Sequence, residues 1–227
     1  MFYFYTFLLH SAFLLSVNPI AQDQDYHRFA GDGPPTAGAW IPNAANVISN
    51  LAFALVGVYG LLLGHQTVGW LGFSAASLAV CLGSAYYHWN PSDATLVWDR
   101  LPMTLCTTSA AYELFRAYGV KLGLLDLAGW WAYGLLAVAA WRLADDLRLY
   151  AFVQYAPVLA LNVLAMVHPP VPGVDGPMLI LAITVYVIAR VVEHFDRFFF
   201  LYTPLSGHVW KHLLCAVAMF MVMKAKK

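Results

Sequence analysis

Charged residues are scarce in this chain, and their scarcity excludes most classes of soluble protein. Only 11% of the 227 residues are Asp, Glu, Lys or Arg, whereas 61% are hydrophobic. Soluble globular proteins carry about 25% charged residues. The net charge is zero and no basic run interrupts the body of the chain, so nucleic-acid binding has no support. These proportions indicate an integral membrane protein that contacts membrane lipids.

Cysteine is also rare, which argues against two kinds of site. The chain has 3 cysteines, Cys81, Cys106 and Cys215, and each stands alone in an apolar run. Since no CxxC pair occurs, neither a disulfide framework nor a thiolate metal site is expected. We predict that all three behave as small apolar side chains.

Long apolar segments dominate the rest of the chain. A membrane-spanning helix needs about 20 largely apolar residues. The segments of this kind after residue 40 are 43–64, 67–89, 95–118, 122–141, 147–168, 176–200 and 206–224. Their connections are short and rich in turn residues, so no soluble domain is left over. We therefore predict an all-α fold, in which residues 41–227 form one bundle of seven transmembrane helices.

The first 40 residues are a separate region. Residues 1–18 are apolar, as an extra span, an uncleaved anchor or a signal peptide would be. They contain no Lys or Arg and no clear small-residue cleavage site, which disfavours a signal peptide. Residues 21–42 are polar and are expected to form a surface segment. At the other end of the chain, Lys224, Lys226 and Lys227 favour a cytoplasmic C-terminus by the positive-inside rule.

Several polar side chains lie within the predicted spans, where an ionisable group costs about 2.5–3.5 kcal/mol on insertion scales. Ser84 and His88 are four residues apart at the end of the second span, and Asp99 lies at the start of the third. His208 and His212 are four residues apart at the start of the seventh. Residues four apart share a helical face. Because successive spans run in opposite directions, all five side chains are expected on one side of the membrane.

Three histidines are the ligand set of a catalytic zinc site with one open position. Imidazole suits zinc, copper or iron, and zinc is favoured because hydrolysis needs no redox change. The soluble metalloprotease motif HExxH is absent, since Val209 stands where Glu would be. Trp210 and Lys211 lie between the two C-terminal histidines and are expected to point to other faces of the helix, with packing and interfacial roles.

One further set of charged residues allows two interpretations. Arg190, Glu193, His194 and Arg197 follow a helical spacing in the sixth span. They form either a layer of residues behind the metal ligands or an internal ladder of ion pairs near a membrane boundary, and we favour the ladder.

These residues resemble a motif set of the superfamily that groups alkaline ceramidases with the progestin and adiponectin receptors. The motifs are SxxxH at 84–88, an aspartate at 99 and HxxxH at 208–212. The sequence is most similar to the alkaline ceramidase branch, because it also has NVISN at 46–50, GSAYYH at 83–88 and DRLPM at 99–103. The resemblance covers residues 40–224, and the short loops resemble those of a bacterial member.

The resemblance implies an enzyme that splits the amide bond of ceramide or a related N-acyl lipid into a fatty acid and an amine. It implies zinc held by His88, His208 and His212. Asp99 would take a proton from the attacking water and pass it to the leaving amine, and Ser84 would hydrogen-bond the developing oxyanion. A bacterial member would lie in the inner membrane.

The resemblance has one departure and leaves other functions open. The acidic calcium site of the eukaryotic enzymes is reduced here to Asp23, Asp25 and Asp32, and Asn43 stands where a Glu would align. We therefore do not expect calcium. The alternatives are a receptor-like or sensor member of the superfamily that retains zinc with little turnover, and a transporter in which the histidines relay protons or pack.

Overall fold

The computed structural model describes residues 13, 14, 16–27, 41–63 and 67–226. Within these ranges the regular secondary structure is helical, apart from one antiparallel bridge between Val174 and Lys226. The all-α prediction is therefore confirmed. Most of the apolar stretch at 1–18 lies outside the described residues, as do Asp32 and Lys227.

The described part of the chain after residue 43 contains a succession of helices joined by short turns. They are α1 (Ala44–Ser49), α2 (Leu51–Leu62), α3 (Val68–Trp89), α4 (Asp93–Ala117), α5 (Leu124–Ala144), α6 (Arg148–Val167), α7 (Gly176–His194), α8 (Asp196–Tyr202) and α9 (Gly207–Lys224).

Local sequence explains where several of these helices begin. Thr67, Ser92, Asp175 and Ser206 each lie just before a helix and accept a hydrogen bond from a backbone N–H of its first turn. Such caps satisfy donors that a helix leaves without an internal partner. The caps of α4 and α9 matter most for function, because they fix the ends of the helices on which Asp99 and His208 lie.

Five segments are long and apolar enough to cross a membrane: Ala44–Leu62, α3, α5, α6 and α7. A sixth is obtained if α8 and α9, which meet at an angle of 105°, count as one bent span. The described helices thus provide five to six candidate spans, and the third predicted span, 95–118, which corresponds to α4, is not among them. The reason is that α4 carries charged residues near both of its ends.

The sixth predicted span, 176–200, differs from the structure in its extent. The helix ends at His194, Phe195 leaves the helical conformation, and α8 follows as a separate short helix. The break lies where the start of α9 packs. A Cβ atom on Gly207 would come within 2.3 Å of the Val192 carbonyl oxygen and within 2.8 Å of the Asp196 Cα.

Helix α4 occupies the centre of the fold, since it packs against α3, α5 and α6. One hydrophobic cluster includes Phe73, Cys106 and Met223, and a second includes Leu114 and Leu161. Both clusters contain residues of α4. In contrast, α2, α5 and α6 expose large apolar side chains on their outer faces. None of the three cysteines forms a disulfide, and two of them are buried, as the sequence predicts.

Candidate metal centre

The three predicted histidine ligands meet at one end of the bundle. His88 lies in the last turn of α3, and His208 and His212 lie in the first two turns of α9. One potential ligand atom from each imidazole lies within 4.8 Å of the others, and all three residues are buried. The ring centroids are 4.9, 5.0 and 4.8 Å apart, and the rings meet edge to face. The three side chains can therefore hold one metal ion.

The hydrogen bond of His212 fixes which of its nitrogens is available to a metal. Ser49 Oγ donates to the Asn46 carbonyl oxygen at 2.9 Å and lies 2.7 Å from His212 Nδ1. We assign the hydroxyl proton to the carbonyl, and in this assignment Ser49 accepts from Nδ1–H. The lone pair of this imidazole is then on Nε2. Orientation of a ligating imidazole by a second hydrogen bond is common to metal sites.

His208 is held by two carboxylates. Its backbone N–H donates to Asp196 Oδ1 at 2.6 Å, which positions the start of α9. Its Nδ1 atom lies 3.4 Å from Glu193 Oε1. The sequence prediction for Lys211 is wrong at this point, because the Lys211 ammonium is buried 3.0 Å from His208 Nε2 and 2.7 Å from Glu193 Oε1. Residues three apart on a helix share a face, so Lys211 follows His208 rather than pointing away.

The charged residues at 190–197 therefore fit both predicted interpretations in part, the ladder of ion pairs and the layer behind the histidines. Arg190 and Glu193 form an ion pair of 2.5 Å with i,i+3 spacing, as a ladder requires. Glu193 also contacts both His208 and Lys211, so it belongs to the layer of residues behind the metal ligands. His194 is exposed on another face of α7.

Asp99 and Ser84 meet at the contact between α4 and α3, about one helical turn before His88 on α3. Both side chains are buried, and the Ser84 hydroxyl hydrogen-bonds the Asp99 carboxylate. The two helices approach closely because of Gly83, where a Cβ atom would come within 1.9 Å of the Trp98 carbonyl oxygen. Residue 102 is proline and cannot donate the helical N–H that this carbonyl would otherwise accept. The carbonyl is thus free to pack onto the glycine backbone.

His88 is fixed from the first span. The Asn43 side-chain amide donates to the His88 backbone carbonyl at 2.7 Å. Asn43, which precedes α1, has φ of 50° and ψ of 41°, a left-handed conformation that Asn tolerates better than most residues. The bond between Asn43 and His88 thus joins the start of α1 to the end of α3.

A cavity of about 420 Å³ opens beside the site. Ser84, Asp99 and His212 line the end of the cavity that lies at the histidines, and Leu114, Leu161 and Val222 line it farther along the bundle. Asp99 and Leu114 are 15 positions apart on α4, which corresponds to about 22 Å of helix. The cavity is therefore long and narrow, with polar groups at one end and apolar walls at the other.

The N-terminal segment contributes to the same end of the cavity, which corrects the prediction of a simple surface segment. Gln22 is buried, and Tyr26 lines the cavity. The Tyr26 ring lies 6.2 Å from Tyr87 and 6.2 Å from His208, measured between ring centroids. Burial raises the pKa of the Tyr26 hydroxyl above its ordinary value of 10.0, so it stays neutral. Asp23 and Asp25 are exposed.

Sequence reasoning missed Ser49 and Tyr26, and it preferred the ion-pair ladder to the layer behind the histidines, in which Glu193 contacts His208. Ser49 had a detectable signal, because it lies one turn after Asn46 within the NVISN motif. Tyr26 had none, since its place beside His208 depends on how the N-terminal segment folds back.

No protein-family model matches the chain, and no curated protein matches it in sequence. The family indicated by the motifs at 84–88, 99–103 and 208–212 thus stays a prediction, and function has to be argued from the site.

Proposed function

We propose that this protein is a zinc-dependent membrane hydrolase that cleaves the amide bond of ceramide or a related N-acyl lipid. The observation that carries the proposal is a group of three buried imidazoles that can share one metal ion, one of which, His212, lines the same largely apolar cavity as the Asp99 carboxylate and the Ser84 hydroxyl. A structural role for the histidines would not require the neighbouring carboxylate and hydroxyl.

We assign zinc to this donor set, because imidazole suits zinc, copper or iron and hydrolysis needs no redox change. Its ligands are three imidazoles with no thiolate or carboxylate in the set. Three protein ligands leave a coordination position for water or substrate, as in catalytic zinc sites. When bound, zinc lowers the pKa of water and polarises a carbonyl oxygen. The Lys211 ammonium pairs with Glu193 at 2.7 Å and also contacts His208 Nε2 at 3.0 Å, so it would have to turn further towards Glu193 for that nitrogen to bind zinc.

Asp99 and Ser84 supply the proton chemistry of the proposed reaction. Asp99 takes a proton from the attacking water and delivers it to the amide nitrogen as the C–N bond breaks. Ser84 now donates to Asp99, which orients the carboxylate. The same hydroxyl can turn to the substrate oxygen as negative charge develops there, a role in which a positioned donor contributes most in the transition state.

The cavity supports a lipid as the substrate. Its apolar walls accommodate an acyl chain, and its polar end brings the amide to Asp99 and His212. Pockets of about 300–1,000 Å³ with few polar groups are typical of small-molecule sites. A volume of about 420 Å³ lies within that range.

The proposal includes seven spans, with α4 as the central one. A helix that other helices surround does not need an apolar surface, because its polar groups face the interior of the bundle. Fourteen residues of α4 are buried, including Asp99, Arg100 and Glu113. The apolar outer faces of α2, α5 and α6 would contact lipid. We place the protein in a bacterial inner membrane with a cytoplasmic C-terminus, in accord with Lys224 and Lys226.

The test combines metal analysis with hydrolysis of a ceramide by the purified full-length protein. We expect one zinc per chain and release of fatty acid. His208→Ala should lose both zinc and activity. Asp99→Asn should retain zinc and lose activity by about 10²–10⁴-fold, the contribution of a general acid–base group. The matched control is His168→Ala, because His168 is exposed at the end of α6.

Two results would reject the proposal. One is purified protein without metal, and the other is full activity in His208→Ala. Stoichiometric zinc without turnover of any lipid amide would instead favour the receptor-like alternative.

A further inference from the structure

Arg100 is a buried cation that lacks a counter-ion among the described residues. Its exposed fraction is 7%, and no carboxylate lies within ion-pair distance of it. The guanidinium is stacked between two rings, 4.0 Å from the centroid of Trp141 and 4.8 Å from that of Tyr150. Nη2 donates to Gln22 Oε1 at 2.6 Å, whereas Nη1 is buried without a hydrogen-bond partner. The residue lines the cavity beside Asp99.

The neutral partner of Arg100 is itself held in place. The Gln22 backbone N–H donates to Asp145 Oδ1 at 2.9 Å, and its side-chain amide donates to the Asp23 carbonyl oxygen at 2.9 Å. The side-chain oxygen of Gln22 is therefore directed at Nη2. Since this contact involves no charge, it satisfies one donor of the guanidinium and leaves the positive charge uncompensated.

The charges around the cavity add up to an excess of one positive charge. Among its described lining residues, Arg100, Arg190 and Lys211 are cationic, and Asp99 and Glu193 are anionic. Glu193 is bound by both Arg190 and Lys211, at 2.5 and 2.7 Å. Asp99 accepts a hydrogen bond from Ser84. The unmatched cation is thus Arg100.

An isolated charge in a low-dielectric interior is costly unless it is paired, and an unpaired buried donor adds to the cost. Aromatic faces offset part of the cost of a cation but accept no hydrogen bond from its edge. A guanidinium edge matches a carboxylate, with which it forms charge-assisted hydrogen bonds. A ligand carboxylate in the cavity would supply both the missing charge and the missing acceptor.

We propose that Arg100 binds a carboxylate on the amine portion of the lipid amide, so that the substrate class is an N-acyl amino acid. The inference rests on the proposed function for the amide and on the surroundings of Arg100 for the carboxylate. Arg100 is the chain neighbour of Asp99, whereas the apolar part of the cavity extends towards Leu114 and Leu161. The acyl chain therefore occupies the apolar part, and the charged end of the substrate lies at Arg100.

The reaction balances with water alone. The C–N bond of the amide breaks, the hydroxyl of one water forms a C–O bond at the carbonyl carbon, and the protons of that water pass to the amine and to solvent. The products are a fatty acid and a free amino acid. Arg100 takes no part in proton transfer and acts as a substrate-binding residue.

The test uses ligands that bind without being hydrolysed. The amide N–H of N-oleoylglycine and of N-oleoylethanolamine is replaced by CH₂. The two resulting ligands differ only at one end, which is a carboxylate in the first and a hydroxymethyl group in the second, called here the hydroxyl ligand. Dissociation constants are measured with the full-length protein in detergent. We expect wild-type protein to bind the carboxylate about tenfold to a hundredfold more tightly, as a charge-assisted hydrogen bond to a buried group allows.

Variants then assign this preference to the guanidinium. Arg100→Gln should lose the preference and keep its affinity for the hydroxyl ligand. Arg100→Lys retains the charge without the fork and should keep part of the preference. Arg142→Gln is the charge-matched control, because Arg142 is exposed on α5. Thermal unfolding of each variant, and binding of the hydroxyl ligand, verify that the variant is folded.

Three results would overturn the inference. The first is equal affinity of wild-type protein for the two ligands, which would mean that water or lipid, and not a ligand carboxylate, contacts the Arg100 guanidinium. The second is an equal loss of affinity for both ligands in the Arg100→Gln variant. The third is oleate that binds as tightly as the carboxylate ligand with the same dependence on Arg100, since the site would then hold a fatty acid. Because no turnover is measured, protein that prefers the carboxylate ligand but hydrolyses no amide would refute only the proposed function.

Discussion

Replacement of Gly83 by alanine should separate the Asp99 carboxylate from the three histidines. Gly83 lies on α3 one residue before Ser84, and its backbone contacts the turn of α4 that carries Asp99. The Cβ atom of an alanine would lie 1.9 Å from the Trp98 carbonyl oxygen and 2.8 Å from its carbon. These are backbone atoms, so a change of rotamer cannot relieve the overlap.

The size of the displacement follows from the contact distances. Ordinary van der Waals contact begins at 3.4 Å, so a contact at 1.9 Å requires α4 to move by roughly 1.5 Å. Overpacking of this kind lowers the free energy of unfolding by about 1–3 kcal/mol, and the higher helix propensity of alanine offsets about 1 kcal/mol of that loss. A misplacement of about 1 Å at a catalytic site can reduce the rate 100-fold.

Zinc content and activity should therefore respond differently. The three histidines lie on α3 and α9, and Asp99 lies on α4. We expect Gly83→Ala to retain zinc, to unfold at a lower temperature and to hydrolyse lipid amide at least 100-fold more slowly. The assay measures kcat, metal content and Tm on the same preparation.

The matched control is Gly129→Ala on α5, where an added Cβ meets no atom within 4 Å. Its Tm should be unchanged or slightly higher, and its activity should equal that of wild-type protein. If Gly83→Ala behaves like Gly129→Ala in both measurements, the close approach of α3 and α4 does not position Asp99, and the reasoning fails.

Two further predictions concern the residues behind the metal ligands. Ser49→Ala removes the hydroxyl that lies 2.7 Å from His212 Nδ1 and accepts its proton in the assigned tautomer. Zinc affinity, measured in competition with a chelator, should therefore fall about 10–100-fold. An unchanged dissociation constant for zinc would contradict the assigned tautomer. Glu193→Gln removes the charge that pairs with Lys211 at 2.7 Å, so the ammonium should compete with the metal and zinc affinity should fall. Adding Lys211→Met to Glu193→Gln should restore the zinc affinity. If the double variant binds zinc no more tightly than Glu193→Gln alone, the Lys211 ammonium does not compete with the metal.

The sequence predicted the positions of most helices, but not every break between them. Apolar length and turn residues located the main helices, but they did not detect the break between α7 and α8. That break arises where Gly207 packs against Val192 and Asp196, a contact between segments distant in the chain. The polar surface of α4 likewise reflects its central position, because a helix enclosed by others need not be apolar.

Residue type and spacing alone selected the three histidines, Ser84 and Asp99, because helical periodicity and the alternation of span direction confine them to one end of the bundle. The pairing of Lys211 with Glu193, the hydrogen bond between His212 and Ser49 and the isolation of Arg100 depended on tertiary structure. Each of these features joins segments far apart in the chain, and no local pattern records which side chains meet once the helices have packed. Sequence therefore determined which chemical groups are present and their approximate depth, whereas packing decided which partners and charges surround them.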